Sequence, residues 1–320
     1  MRDGRLTISY VFPVFNEEGN LADLHAELDR VTSSRPEFDY EFVFVNDASK
    51  DRSLELLMEM AARDHRVVVV DLSRNFGHQM AITAGIDHAS GDAVILMDSD
   101  LQDPPRTSLA LIDKWLEGYE VVYAERRTRK DTVFKRVTAA GFYWLLDRLS
   151  DTPIPRNVGD FRLMDRKVVA QLQRFTEHNR FVRGMVAFVG FRQTAVQFDR
   201  GERMAGETSY PLRKMFKLAV DGILGFSTVP LKLIGRAGIL IAGLAFLGAI
   251  YAVGAKLFRP DHVVAGWTFI MISVLFVGGV QLIMLGVLGG YLGRTYTEAQ
   301  GRPLYIVRAV RRSCHVKDPP

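Results

Sequence analysis

The sequence predicts an α/β domain on a mostly parallel sheet, followed by an amphipathic interfacial helix and two transmembrane helices. Three observations carry this reading. Strand-like and helix-like patterns alternate as far as residue 125. The apolar run Ala93–Met97 opens directly into Asp98-Ser99-Asp100. Two long stretches, 237–255 and 263–293, carry no charge at all, and about 20 apolar residues suffice to cross a bilayer.

The strands are expected at Leu6–Val14, Tyr40–Asn46, Val67–Leu72, Ala93–Met97 and Val121–Ala124, each a short run rich in apolar residues. Helical spacing falls between them, near Leu21–Val31, Ser53–Ala62, Gln79–His88 and Leu109–Trp115. Such alternation gives a parallel sheet covered by helices on both faces, with ligand loops after the strands at one edge.

Three of those loops carry polar residues that a turn does not require. They are Asn16-Glu17-Glu18, Asn46-Asp47-Ala48-Ser49-Lys50-Asp51 and Asp98-Ser99-Asp100, and all three should converge on one crevice. Two carboxylates at i and i+2 can grip one hard divalent cation, and oxygen ligands suit Mg²⁺ or Mn²⁺. Asp47 leaves an apolar strand at the ligand edge and can accept hydrogen bonds from a base. Asp51, just ahead of Ser53, reads as a turn or helix cap. No Gly-x-Gly-x-x-Gly and no P-loop follows a strand, so a nucleotide would be held through metal and side chains.

A basic loop runs from Arg126 to Lys135 and includes Arg127, Arg129 and Lys130. It reads either as a solvated loop or as a phosphate contact. Farther on, Asp160 stands beside Gly159 in an otherwise apolar stretch, where an acid is costly unless paired or functional. Arg162 is its candidate structural partner.

Residues 208–234 lead into the first uncharged stretch. Thr208 or Ser209 can cap a helix there, with Pro211 in its first turn. Leu212, Met215, Phe216, Ala219 and Ile223 form one apolar stripe, with Arg213, Lys214 and Lys217 off it. That pattern fits a helix lying on an anionic membrane surface, or one packed on the globular domain. Cations flank both spans: Arg213, Lys214, Lys217, Lys232 and Arg236 before, and Arg294, Arg302, Arg308, Arg311, Arg312 and Lys317 after. Basic flanks stay cytosolic, so both ends of the chain should be cytosolic around a short outside loop. Gly286/Gly290 and Gly289/Gly293, each four apart, permit close helix approach, and Gln281 is a polar group for a contact between helices.

The 320 residues carry a net charge of +4 and one cysteine, Cys314. An intrachain disulfide is excluded, which fits a reducing compartment. Met1–Arg5 lead straight into a strand, with no signal peptide expected.

With these residues in view, the chain resembles the inverting family 2 glycosyltransferases of GT-A fold, and within them the polyprenyl-phosphate glycosyltransferases. Phe12-Pro13-Val14-Phe15-Asn16-Glu17 is similar to the first nucleotide motif and Val45-Asn46-Asp47 to the second. Asp98-Ser99-Asp100-Leu101-Gln102 resembles the metal motif, and Gly159-Asp160-Phe161-Arg162-Leu163-Met164 resembles the bactoprenol glucosyltransferase branch. Arg203-Met204-Ala205-Gly206-Glu207-Thr208-Ser209-Tyr210 is similar to an acceptor motif, with Ser209 where a Lys is usual.

The resemblance implies Pro13, Phe15, Glu17, Val45, Asp47, Ser99 and Arg126 as nucleotide-sugar contacts. It implies Asp98, Asp100 and Gln102 around Mg²⁺ or Mn²⁺, Arg203 and Ser209 at the acceptor phosphate, and Asp160 as the catalytic residue. The implied reaction moves glucose from UDP-glucose, or mannose, GlcNAc or aminoarabinose from its own donor, to undecaprenyl or another polyprenyl phosphate. The implied location is the cytosolic face of the inner membrane. The implied layout is a GT-A domain at 1–207, a juxtamembrane segment at 208–235, two spans within 236–294 and a cytosolic tail at 295–320. A homo-oligomer, a flippase and a downstream glycosyltransferase are the implied protein partners, with no nucleic acid. Two other readings compete. A processive polysaccharide synthase would need a Gln-x-x-Arg-Trp motif, and Gln171–Phe175 lacks the Trp. A nucleotide-sugar-binding scaffold without catalysis would bind donor and transfer nothing.

Overall fold

The structure is a computed structural model, and it describes residues 4–127, 158–178, 180–199, 229–258 and 266–312. It divides into two compact units. Met1–Thr138, Thr152–Ser209 and Arg302–Pro320 make the first; Ala139–Asp151 and Tyr210–Gly301 make the second.

In the first unit, β1 (Thr7–Val14), α1 (Leu21–Ser33), β2 (Asp39–Asn46), α2 (Ser53–Arg63), β3 (Val67–Leu72), α3 (His78–His88), β4 (Ala93–Leu96), α4 (Thr107–Leu116) and β5 (Val121–Arg126) alternate as the periodicities predict. Then come β6 (Val158–Asp165), α5 (Arg166–Leu172), α6 (Val182–Phe188), β7 (Gln193–Phe198) and, after the second unit, β8 (Val307–Arg312). The sheet runs β7-β5-β6-β4-β1-β2-β3-β8. β1 pairs in parallel with β2 and β4, β2 with β3, and β5 with β7. β6 and β8 run against their neighbours, so the architecture is a mostly parallel α/β sheet.

The core explains the register. Ile8, Tyr10, Phe12 and Val14 of β1 all point into one apolar layer, against Leu21, Leu24 and Leu28 of α1 and Leu57 of α2. Val11 points into the other layer, with Val43 and Val45 of β2 and Ala81, Ile82 and Ala84 of α3. A one-residue slip would exchange the two sets, so burial on both faces locks the pairing. On α3, a Cβ at Gly85 would sit 2.2 Å from Val11 Cγ1. The missing side chain lets this helix lie close against β1, which fixes where its first residue, His78, emerges.

β8 lies within the segment 295–320 that the sequence reading gives as a cytosolic tail. It pairs antiparallel with β3, Val68 opposite Arg312 and Val70 opposite Val310. Arg308, Arg311 and Arg312 hide the strand in the sequence, but an edge strand keeps one side in water and tolerates charge.

The second unit holds two long helices, α7 (Val229–Phe258) and α8 (Trp267–Ala299). Among the described residues, one segment is long and apolar enough to cross a membrane: Phe276–Ala299, 24 residues. Leu233–Gly248 of α7 is a shorter apolar segment. Both helices expose large apolar side chains, including Leu240, Phe246, Leu282 and Leu288. Among the described residues, a Cβ at Gly286, Gly289 or Gly293 would meet nothing within 4 Å. Most of the expected interfacial helix lies outside the described residues, as do residues 259–265 and Cys314.

Candidate active site

The crevice forms where the C-terminal ends of β1, β2, β4 and β5 meet the N-terminal end of the reversed β6. β4 and β2 diverge on either side of β1, and open α/β sheets bind ligands at such a switch point. Three loops there hold a non-glycine residue at positive φ: Asn16 (58°) after β1, Ala48 (55°) after β2 and Leu101 (56°) after β4. Left-handed backbone costs on the order of 1–3 kcal/mol per residue and concentrates at functional sites.

The first two loops are cross-braced. Lys50 N–H donates to Asn16 Oδ1 at 2.7 Å, and Ser49 Oγ accepts from Asn16 N–H at 3.1 Å. Asp51 accepts from the backbone of Ser53 at 3.0 Å and of Glu18 at 3.1 Å, so it closes the turn that precedes α2. Glu17 is tied through its N–H to Ser53 Oγ at 2.9 Å and through its carboxylate to Asn20 at 2.6 Å. Phe15 is 43% exposed at the loop surface.

Asp47 is buried, and its two oxygens accept the backbone N–H groups of Phe76 and Gly77 at 2.7 and 2.9 Å. Asn75 Nδ2 donates to its carbonyl at 3.2 Å. Burial raises the Asp47 carboxyl above its ordinary value, against the pull of those two N–H donors.

Val45 is fully buried, and its Cγ2 would lie 3.1 Å from a Cβ on Gly85, so its side chain packs against α3. Pro13 is also buried, and its carbonyl accepts Ser99 Oγ at 3.0 Å. Ser99, 3% exposed, thereby pins the β4 loop to β1.

Beyond β4 the acids gather. Gln102 donates its backbone N–H to Asp100 Oδ1 at 3.1 Å, and its side chain is buried. Asp103, absent from the sequence reading, is 1% exposed and lies 3.8 Å from Arg126 Nη2. Its signal was an acid five positions beyond Asp98 in the same loop. Arg126 packs over Gly159, where a Cβ would meet its Nη2 at 3.2 Å. Burial pushes the Asp98 carboxyl up to about 6; His78 opposes this, while the charges of Asp160, Asp103 and Asp100 add to it. The carboxylates repel one another in a partly buried pocket of oxygen donors. A divalent cation fits there, because it relieves that repulsion and prefers such donors.

Asp160, at the start of β6, is 4% exposed. Its oxygens meet Arg183 Nε at 2.8 Å and Nη2 at 3.0 Å. His78 Nε2 stands 3.3 Å from Asp160 and 3.7 Å from Asp98 Oδ1, bridging the two acids. Burial alone would raise the Asp160 carboxyl, but the His78 and Arg183 hydrogen bonds overcome it and hold the group far below the usual carboxylate range. For His78 the burial penalty is likewise outweighed, by Asp160 and Asp98, so its pKa is raised.

The expected partner, Arg162, contributes differently. It is fully buried, its Nη2 is 3.8 Å from Asp160 Oδ1, and its hydrogen bonds go to the carbonyls of Gly159 (2.7 Å) and Asp160 (3.1 Å). Arg183 and His78 are the sequence-remote partners that the reading missed. Arg129, Lys130, Arg203 and Ser209 lie outside the described residues.

A second cluster, His25, Asp29 and Asp64, has ligand atoms close enough for a metal. Asp64 precedes β3, at the edge opposite the crevice. Arg66 already donates to both Asp29 and Asp64, and His25 Nε2 meets Asp64 at 2.9 Å. The guanidinium supplies the positive charge there.

Residues 9–173 match the model of glycosyl transferase family 2. The chain is 53% identical over 301 residues to the uncharacterized glycosyltransferase YkcC of Bacillus subtilis (strain 168), covering 94% of this chain and 93% of that protein. It is 46% identical over 303 residues to the uncharacterized glycosyltransferase sll0501 of Synechocystis sp., covering 94% and 95%. It is 41% identical over 309 residues to the prophage bactoprenol glucosyl transferase homolog of Escherichia coli (strain K12), covering 96% and 100%. An α/β sheet with its acids gathered at the switch point, and likeness that runs through nearly the whole chain, lead to one conclusion: this chain belongs to glycosyl transferase family 2.

Proposed function

We propose that this protein transfers glucose from UDP-glucose to undecaprenyl or another polyprenyl phosphate at the cytosolic face of a membrane, with inversion at the anomeric carbon. The observation that carries the reading is His78 set between Asp98 and Asp160, with Asp100 and Asp103 acting on Asp98, in a chain 41% identical over 309 residues to a bactoprenol glucosyl transferase homolog.

In this reading the uracil lies toward Asp47, beside the loop after β1 that carries Phe15 and Glu17. Asp98, Asp100 and Gln102 would hold Mg²⁺ or Mn²⁺, with Asp103 beside them, and the ion would supply positive charge toward the departing diphosphate. Arg126 adds a cation near the diphosphate, and Ser99 keeps the acidic loop fixed against β1. A lipid-phosphate oxygen attacks the anomeric carbon from the face opposite UDP, so an α-linked donor gives a β-linked product. A phosphate monoester has a second pKa near about 6 and is largely ionised at neutral pH, so no strong base is required. Asp160 then acts by positioning charge. Arg203 and Ser209 complete the acceptor site from 1–207 and the adjoining segment.

The reading includes two membrane spans. β8 lies in the same sheet as β1, and a chain that starts and ends on one side of a membrane crosses it an even number of times, which supports a second span beside Phe276–Ala299. The basic flanks favour both ends in the cytosol.

The test is transfer of radiolabelled glucose from UDP-glucose to undecaprenyl phosphate by purified protein with Mg²⁺ or Mn²⁺, beside Asp100→Ala. Organic-extractable label that disappears in the variant is expected. Donor binding without transfer of any sugar would overturn the reading in favour of a scaffold.

A further inference from the structure

The last strand reaches the nucleotide loops through one side chain. In the pairing of β8 with β3, Asp71 stands opposite Ala309 and Leu72 opposite Val307. Arg308 is the extra residue between them, a β-bulge, and bulges re-aim a side chain. Here the guanidinium meets the C-terminal end of β3, where a ligand loop begins. Its Nη1 donates to Asp71 Oδ2 at 3.2 Å and its Nη2 to the Ser73 carbonyl at 2.8 Å, partners 237 and 235 residues earlier in the chain.

Each bond opens a separate path to the crevice. Asp71 is 5% exposed, and its other oxygen accepts Asn46 Nδ2 at 2.7 Å across the β2–β3 pair. A carboxylate only accepts, so it draws the NH₂ of the Asn46 amide toward itself. That leaves Asn46 Oδ1 for the N–H of Ser49 at 3.1 Å, a bond that closes the turn around Ala48. Ser49 Oγ in turn accepts the Asn16 N–H in the loop after β1. Along the other path, Ser73 also gives its own N–H to the Ile306 carbonyl at 2.9 Å. Residues 306 and 308 thus hold both backbone groups of Ser73. Ser73 begins the turn whose Phe76 and Gly77 N–H groups meet Asp47.

Asn16 and Ala48, both at positive φ, lie on the first path. Such backbone persists only where its surroundings over-determine it, and Asn46, Ser49 and Asp71 do so here. We propose that Arg308 is a positioning residue for the nucleotide-sugar donor: by bridging Asp71 and Ser73 it holds the loops after β2 and β3 in the shape that takes a nucleoside diphosphate. The proposal rests on the reading above of a nucleotide sugar as donor. Arg308 acts through the loops rather than by touching the ligand. Loops fixed beforehand lose less freedom when the nucleotide arrives, and that difference appears as affinity. The donor site then draws on a residue far beyond the 9–173 stretch that matches the family model.

The Arg308 side chain is 56% exposed and that of Asp71 8%, so truncating the arginine removes the bridge without opening the core. Full-length wild type, Arg308→Ala, Arg308→Lys and Arg311→Ala are compared in detergent micelles. UDP with Mn²⁺ is titrated calorimetrically, and UDP-glucose and undecaprenyl phosphate are varied in turn in the transfer assay. For Arg308→Ala we expect UDP affinity to fall, and the KM for UDP-glucose to rise, by about three- to tenfold, the scale of one lost hydrogen bond. The KM for undecaprenyl phosphate should stay within about twofold of wild type, a split that general loosening of the fold would not give. Arg308→Lys keeps the charge but not the fork and should recover part of the loss. Arg311→Ala removes a cation from the same strand and should leave UDP affinity within about twofold of wild type. Unchanged UDP affinity in Arg308→Ala overturns the proposal, as does an equal loss in Arg311→Ala, which would assign the effect to charge alone. UDP binding is read without transfer. A wild type that binds UDP and transfers nothing would therefore fault the proposed function alone, whereas one that binds no UDP would overturn both.

Discussion

Asp47 accepts the backbone N–H of Phe76 at 2.7 Å across 29 residues of sequence. Together with the Gly77 bond at 2.9 Å, it ties the loop after β2 to the turn that starts α3. The residue proposed to meet the uracil therefore also sets the start of the helix that presents His78. Asp47→Asn should break this link, because an amide has one acceptor oxygen and turns its NH₂ toward a backbone donor. The expected cost is about 1–3 kcal/mol. Chemical denaturation should show it, and UDP-glucose affinity should fall with it. Unchanged stability and donor affinity would remove Asp47 from both roles.

Asp98 gives a pH dependence with a definite sign. Its carboxyl is pushed up to about 6, chiefly by burial, above its value in the unfolded chain. The metal-free fold therefore pays to keep it charged above that pH and gains stability as pH falls through about 6 toward 4. A cation needs the charged form, so its affinity should drop by up to about tenfold per pH unit below 6. Mn²⁺ titrations at pH 7.5 and 5.5 read this directly. Equal affinity at both would contradict it.

Among the described residues, Arg162 is the largest side chain that is fully buried. It donates to the carbonyls of Gly159 and Asp160 and lies 5.2 Å from the Tyr123 ring. Arg162→Met keeps the volume and deletes the charge. The two carbonyls lose their donors and Asp160 loses one of its cations. We expect a loss of roughly 3–5 kcal/mol, the range for breaking one side of a buried ionic arrangement, visible as a lowered melting temperature. A variant as stable as wild type would show that the guanidinium is replaceable by packing.

Arg308, on β8, donates to Asp71 Oδ2 at 3.2 Å and to the Ser73 carbonyl at 2.8 Å. Asp71 also accepts from Asn46 at 2.7 Å, next to Asp47. Because Arg308 is more than half exposed, Arg308→Ala should cost no more than about 1 kcal/mol. Hydrogen exchange should accelerate in β8 and at the end of β3, and unchanged protection there would refute the coupling.

The sequence exposed the parallel half of the fold because burial on both faces leaves unbroken apolar runs, such as Phe42–Val45 and Val67–Val70. The antiparallel strands were obscured for separate reasons. β6 carries Asp160 and Arg162, so charge masked its alternation; β8 carries three arginines on an open edge. At the site, the acids after β4 were legible because their spacing is local. The Asp160–Arg183 pair was not, since 23 residues of sequence separate partners that only the packing of α6 on α3 brings together.

The pairing of β8 with β3 also sets an order of events during synthesis. The edge of β3 remains unsatisfied until Arg312 has left the ribosome, long after the nucleotide loops have been made. Everything between the two strands, including both long helices, must be produced first. A nascent chain that stalls within those helices carries every acid of the candidate site and an open strand edge, the form most prone to pair with another chain. Closing the sheet therefore waits until the intervening segments have been made.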